Sequence, residues 1–295
     1  MRHLLTIADL RDDEIRQICQ SARHPIDFTC TETRPHLVGL LFVEPSLRTR
    51  IGFSAASARL GWSHVDVRDL VWHPGMSEPE SYWDTLRVLS GMTDVIVTRA
   101  GLHLEANLVT ESSQVPVISG GDAGNSHPTQ SLVDLAAIES LAGPVHQLNV
   151  GICGDLGMRA AISLMQLLAR TPPARLTLMA PPSRDIRDDD IPESLQPSVA
   201  HLTELDATSV DVLYLSGLPE GQGARYLDAA ARRRFTVTPD VLRTMPHHSI
   251  VLSPMPVIDE IDPACRTSPQ VRIYQQADLA VRVRAEILRL VAGWK

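Results

Sequence analysis

The chain has 295 residues, 44% hydrophobic and 21% charged, with a formal net charge of -8. That length accommodates two domains of ordinary size, each burying its own core, and the composition is that of a soluble globular protein. The acidic balance excludes a broad nucleic-acid face, which needs a basic stripe to displace counterions, and no run approaches the roughly 20 apolar residues of a membrane span.

In chain order, MRHLLTIADLRDDEIRQIC is amphipathic and predicts a helix over residues 8 to 23, with Leu10, Ile15, Ile18 and Cys19 on one face. It lacks the uncharged core of a signal peptide, so the expected location is the cytoplasm. Cys19, Cys30, Cys153 and Cys265 are scattered, with no CxxC and no metal-ligand spacing. They are expected to be free thiols, and no metal is expected.

The run HLVGLLFV predicts a buried strand over residues 37 to 43 that breaks at Glu44-Pro45. Ser46, Arg48, Thr49 and Arg50 follow, just before an alanine-rich helical stretch at 50 to 60. Helix N-termini present unpartnered N–H groups and partial positive charge. Two hydroxyls and two guanidinium groups added to such an end make a pocket for a doubly charged oxyanion, most naturally phosphate. A plainer alternative makes Arg48 and Arg50 solvated charges and Ser46 an N-cap. Arginines in a first turn oppose the helix dipole, however, and call for an anion to offset them.

Gly61 is the expected C-cap, SHVDVRDLVW a strand, HPGMSEPES a loop, and residues 82 to 92 a helix. DVIVTRAG has the continuous apolar run of a parallel strand, ending in Arg99 at the carboxyl edge, where ligands of open α/β folds collect. VPVISGGDAGNSHPTQSLVDL then gives a short strand, a glycine-rich turn and a helix opening at His127-Pro128. His127 and Gln130 share its first turn; for His127 alone, capping or packing is the competing reading.

Gly143-Pro144 is the expected domain boundary. LNVGICGDLGMRAAISLMQLLAR follows as strand, turn and helix, without GxGxxG spacing, so no nicotinamide cofactor is expected. RLTLMA, VDVLYLSG and HSIVLSPMP predict further strands of a second parallel sheet, and QADLAVRVRAEILRLVAG a terminal amphipathic helix. The fold class is therefore α/β, two domains, each a parallel sheet flanked by helices. Trp62, Trp72 and Trp83 could line an apolar pocket or simply pack, His247-His248 is expected at the surface, and RDIRDDD is a solvated loop unless it holds a metal.

Taken together, SLRTR, HPTQSLVDL, GDLGMR, SPMPVIDEI and YQQA resemble, in order, the motifs of the aspartate/ornithine carbamoyltransferase family, the aspartate branch more closely. The resemblance covers nearly the whole chain. It implies a carbamoyl-phosphate domain at 1–142, an acceptor domain at 143–275 and a terminal helix at 276–295 packing back on the first. It also implies a homotrimer with interfacial sites and no cofactor. Ser46, Arg48 and Thr49 would bind phosphate and Arg99 would add a second guanidinium, with Thr49, Arg99 and His127 on the carbonyl oxygen. Gln130 and the backbone of Pro254 and Met255 would recognise the carbamoyl NH2, and Arg159 an acceptor carboxylate.

Departures from the family pattern accompany the matches. Leu47 replaces a threonine, Ser253 a histidine and Val257 an arginine. In HPGMSEPES, Pro74 falls where the family has a loop serine and Glu78 where it has a lysine that reaches a neighbouring subunit. Reversing a charge in such a site could cost several kcal/mol at an effective dielectric near 20. Gly217 and Pro219 replace an arginine and a glutamine that grip the acceptor, and the ornithine branch's HCLP motif is absent. The resulting expectation is carbamoyl transfer to an amine other than aspartate or ornithine. The alternatives are a non-catalytic homologue serving as a binding subunit, or an aspartate carbamoyltransferase with compensating residues.

Overall fold

The computed structural model describes residues 1–24, 36–68, 70, 77–123, 126–187, 190–196, 199–220, 222 and 226–294. They form two compact units, Met1–Val133 with Leu279–Lys295, and Asp134–Asp278. This division falls inside a helix, Pro128–Leu141, ahead of the Gly143-Pro144 turn.

The first unit holds a parallel sheet of β1 (Leu37–Phe42), β2 (Ser63–Val67), β3 (Val95–Arg99) and β4 (Val117–Ser119), in the order β2-β1-β3-β4. β1 and β3 are almost wholly buried, which is why they read as unbroken apolar runs, whereas edge strand β2 is exposed along most of its length. The helices are α1 (Asp12–Ser21), α2 (Leu47–Arg59), α3 (Tyr82–Ser90), α4 (Ala106–Ser112) and α5 (Pro128–Leu141). Side chains of α2 reach β2, Arg50 at Asp66 and Ser54 at His64.

The second unit holds β5 (Asn149–Gly154), β6 (Arg175–Met179), β7 (Val199–Leu202), β8 (Val212–Gly217) and β9 (Ile250–Leu252), all parallel, ordered β7-β6-β5-β8-β9. Its helices are α6 (Arg159–Leu168), α7 (Ala229–Arg233) and α8 (Pro239–Thr244). α9 (Ile273–Ala292) closes the chain, and its C-terminal part packs within the first unit: Gln17 donates to Glu286 at 2.7 Å, and Arg282 to the Ala22 carbonyl at 3.1 Å. Among the described residues, no helix is long and apolar enough to cross a membrane.

The continuous helix expected from residue 8 is in fact broken. Asp9 Oδ2 accepts from the Leu5 and Thr6 N–H groups at 2.8 and 2.7 Å, Leu10 is extended, and α1 starts only at Asp12. The proposed apolar face is nonetheless buried, Leu10, Ile15, Ile18 and Cys19 included. Trp62 is buried against the His36 ring, and Trp83 lies edge-on to Tyr82, so both pack; Trp72 lies outside the described residues. Cys19, Cys153 and Cys265 are buried and outside any disulfide, Cys30 is outside the described residues, and the described residues hold no cluster fit for a metal.

At the start of α1, the buried Glu14 carboxylate takes both Arg2 guanidinium nitrogens, at 2.9 and 2.8 Å, and the Arg11 N–H at 2.8 Å. Burial alone raises its pKa, but Arg2 and the Arg11 amide outweigh this and hold it below the ordinary 4.5. A depressed carboxyl pKa stabilises the fold above the unfolded value, and that contribution is lost as pH falls through the folded one. Glu14→Gln is expected to lower neutral-pH stability by roughly 1–3 kcal/mol and to flatten the acid limb below about pH 4.5. Thermal melts across pH measure both; an acid limb as steep as the parent's contradicts the assignment.

Candidate active site

In both sheets the first strand has its successors on opposite sides, so the chain reverses direction between β1 and β3 and again between β5 and β8. A parallel sheet opens a crevice outside the carboxyl ends of such a strand pair, because the connecting loops part there. In the first unit the segment after β1 is the one beginning at Ser46, and the last residue of β3 is Arg99.

Ser46 is the extended N-cap of α2, but its hydroxyl makes no capping bond, and the first turn has no acidic residue. A thirteen-residue helix thus presents its N–H groups and dipole with neither a side-chain cap nor an acidic residue in its first turn. The helix starts at Leu47, earlier than the sequence suggested, which puts Arg48 and Thr49 in its first turn. Arg48 makes no hydrogen bond or ion pair among the described residues, and partial burial lowers its pKa. Arg50 points elsewhere: its Nη1 lies 2.9 Å from Asp66 on β2, which Arg68 shares at 3.0 Å. The two arginines that the sequence groups together are therefore separated, one unpaired and one neutralised.

That separation makes a prediction. Arg48→Ala is expected to weaken binding of a small phosphate by about tenfold or more, as a lost charge-assisted contact would, and Arg50→Ala by less than about threefold. Calorimetry with phosphonoacetamide measures both, and equal losses would contradict the distinction.

Thr49 is buried beside Gly120, where a Cβ would stand 3.2 Å from the Thr49 methyl and 3.1 Å from the Thr98 carbonyl. Arg99 is buried too, its Nε donating to the Gly120 carbonyl at 2.9 Å and its Nη2 to His127 Nε2 at 3.0 Å. Because guanidinium can only donate, His127 Nε2 accepts, which places the imidazole proton on Nδ1, 3.4 Å from Thr129 Oγ1. Gly121 has φ +108°, and a Cβ there would meet Arg99 Nη2 at 3.0 Å and the His127 ring at 3.2 Å. Gly120 and Gly121 thus leave room for the Arg99–His127 pair, a role that the sequence reading of a glycine-rich turn did not assign. Gln130, 9% exposed, follows His127 on the first turn of α5, its N–H on the His127 carbonyl at 3.0 Å.

In the second unit, Arg159 opens α6, which again has neither a side-chain cap nor an acidic first turn; Arg159 is half-buried. Gly217 ends β8 at φ +91°, and its carbonyl accepts from the Asp155 N–H at 2.8 Å. Glu260 Oε1 takes the Leu218 N–H at 3.0 Å while its Oε2 takes the Ile258 N–H at 2.7 Å, tying the segments after β8 and β9 together. Pro254 and Met255 follow β9, with Met255 at φ 59° before a cis bond to Pro256. Ser253 N–H donates to Gln276, Gln276 Nε2 to Asp134, and Tyr214 hydroxyl to the other oxygen of Asp134, at 2.8, 2.6 and 2.7 Å. This buried chain, which no local motif announces, fixes the segment carrying Pro254 and Met255.

Among the altered positions, Glu78 is exposed and Pro74 lies outside the described residues. Gly217 supplies no side chain, and Pro219 is half-buried with its carbonyl accepting from Arg184 at 3.0 Å. His248 is a surface residue paired with Asp211 at 2.6 Å, and Arg187 pairs with Asp190; Asp188 and Asp189 lie outside the described residues.

Residues 2–140 match the family model for the aspartate/ornithine carbamoyltransferase carbamoyl-P binding domain. The chain is also 33% identical over 299 residues to the aspartate carbamoyltransferase catalytic subunit of Methanospirillum hungatei, with 98% of each covered. The chain belongs to the aspartate/ornithine carbamoyltransferase family. Within it, the aspartate carbamoyltransferases are the nearer branch. The catalytic subunit of M. jannaschii aspartate transcarbamoylase superposes with a TM-score of 0.83 at 28% identity, covering 99% of this chain and 98% of that one. The Trypanosoma cruzi aspartate transcarbamoylase in complex with aspartate and phosphate gives 0.83 at 25% identity, covering 97% and 94%. Both sheets therefore belong to the carbamoyltransferase fold, and the switch-point segment at Ser46–Arg99 falls inside the domain that the family model describes as binding carbamoyl phosphate.

Proposed function

We propose that the protein transfers the carbamoyl group of carbamoyl phosphate to the amine of aspartate. The observation that carries this reading is the uncapped, acid-free N-terminus of α2 with unpaired Arg48, in the same unit as the buried Arg99–His127 pair. Ser46, Arg48, Thr49 and the helix N–H groups take the phosphate. Arg99, Thr49 and His127 stabilise negative charge on the carbonyl oxygen, and Gln130 accepts from the carbamoyl NH2. The neutral amine attacks the carbonyl carbon, the tetrahedral oxyanion collapses, the C–O bond to phosphate breaks, and the proton lost by the amine passes to the departing phosphate. No covalent enzyme intermediate is needed; holding the reactants together and offsetting developing charge supply the acceleration.

For the acceptor, Arg159 at the uncapped start of α6 takes one carboxylate. The sequence departures at Gly217, Pro219 and Glu78 raised the expectation of another amine. The comparisons give it no support: full-length relatives are aspartate carbamoyltransferase catalytic subunits, and aspartate is the acceptor they favour. The working assembly is a homotrimer. Leu47 and Ile51, 64% and 53% exposed on α2, and Val65 on edge strand β2 give a second copy an apolar face to cover.

The experiment is phosphate release from carbamoyl phosphate with aspartate, ornithine and a panel of other amines, on protein whose mass is measured by light scattering. Release with aspartate supports the reading. Release only with another amine replaces the acceptor, and absence of carbamoyl-phosphate binding makes the chain a non-catalytic homologue.

A further inference from the structure

The most deeply buried ion pair among the described salt bridges joins the aspartate of GDLGMR to an arginine that no sequence motif singled out. Arg184 Nη1 sits 2.6 Å from Asp155 Oδ2, both side chains only 2% exposed. Arg184 follows β6, Asp155 follows β5, and the other arm of the guanidinium, Nη2, donates to the carbonyl of Pro219, which follows β8. One side chain therefore spans the carboxyl ends of three adjacent strands, β6, β5 and β8, and crosses the point where the strand order reverses.

The backbone of the same three segments is linked around it. Leu156 N–H donates to the Arg184 carbonyl at 3.0 Å, Asp155 N–H to the Gly217 carbonyl at 2.8 Å, and Gly157 N–H to Asp155 Oδ1 at 3.0 Å. Asp155 thereby shapes the turn that delivers Arg159 to the start of α6, while the Pro219 carbonyl is held on the segment that follows β8.

We propose that Arg184 is a positioning residue for the acceptor. Through Asp155 it sets the turn bearing Arg159, and through Pro219 it fixes the segment beginning at Gly217. This rests on the carbamoyl-transfer reading above. Arginine is suited to the position because its planar fork reaches a carboxylate and a carbonyl in two directions at once, which lysine cannot do.

The test compares the parent with Arg184→Gln and Arg184→Lys, using backbone hydrogen exchange and steady-state kinetics. In Arg184→Gln, the Asp155 and Leu156 amides are expected to exchange about tenfold or more faster, while those of β5 and β8 keep their protection. The acceptor KM is expected to rise about tenfold with carbamoyl-phosphate affinity within about twofold, and Arg184→Lys, which keeps one contact, to fall between. Uniform loss of protection across the second unit, or parallel weakening of donor and acceptor, would make Arg184 a general structural residue and overturn the proposal. If Arg184→Gln does not fold, Arg184→Lys decides by the same two criteria. A parent inactive with every amine would defeat the carbamoyl-transfer reading, while the exchange data would still decide whether the three-strand link exists.

Discussion

Arg99→Ala is expected to lower carbamoyl transfer by about 100- to 1,000-fold, the range measured when a single oxyanion donor is removed elsewhere. Arg99 ends β3, and its guanidinium is aimed before any ligand arrives: Nε is held by the Gly120 carbonyl and Nη2 rests on His127. Such an aimed charge needs little reorganisation as negative charge develops, which is why its removal appears chiefly in kcat. The variant also takes from His127 the donor that fixes its tautomer, so two groups are affected by one change. Arg99→Lys serves as the control, since it restores charge but cannot span Gly120 and His127 together. Phosphate release at saturating substrates measures the effect. A loss under about fivefold for Arg99→Ala would show that the β3 terminus has no part in the chemistry.

Gly154→Ala is expected to remove roughly 3 kcal/mol or more of stability. Two separate penalties meet at this position. Its φ is +125°, a conformation side chains resist, and an added Cβ would stand 2.6 Å from the Gly217 carbonyl oxygen and 2.8 Å from Ser216 Oγ. The carbonyl belongs to the neighbouring strand, so relief requires β5 and β8 to separate where their register already shifts. Gly143→Ala isolates the first penalty, because Gly143 has φ +114° but nothing within 4 Å of its would-be Cβ. It is expected to cost about 1 kcal/mol. Denaturant titration of both variants gives the difference, and equal losses would remove the close strand approach as a cause.

Much of this architecture is legible in the sequence because it rests on local signals. β1, β3, β5 and β8 are buried on both faces and therefore appear as apolar runs, and Pro128 at the first position of α5 announces that helix. β7, α4, α7 and α8 are short, and each lacks a full stripe or run, so nothing in the local pattern separates them from loop. The start of α2 is misplaced by the same logic: an extended Ser46 followed at once by helix leaves Leu47 and Arg48 looking like loop. The candidate site divides along a similar line. SLRTR and Arg99 are visible as residue types at strand ends, but that Arg50 is taken by Asp66 depends on strand pairing across 16 residues. The Arg184–Asp155 pair, 29 residues apart, joins two strand ends that only the sheet order makes neighbours. In PPSRD an arginine gives no hint that it will be buried. The Asp134–Tyr214–Gln276 chain is invisible for the same reason.

The two reversals of strand order carry an evolutionary consequence. Under the proposed reaction, donor and acceptor groups belong to two different sheets, each with its own core: Leu41, Leu86 and Ile96 belong to one, and Leu213, Val237 and Val251 to the other. Substitutions in the loops after β8 and β9 can therefore accumulate without disturbing the turn after β1. A change at Gly217 or Pro219 thus falls on a segment whose packing is separate from that of SLRTR.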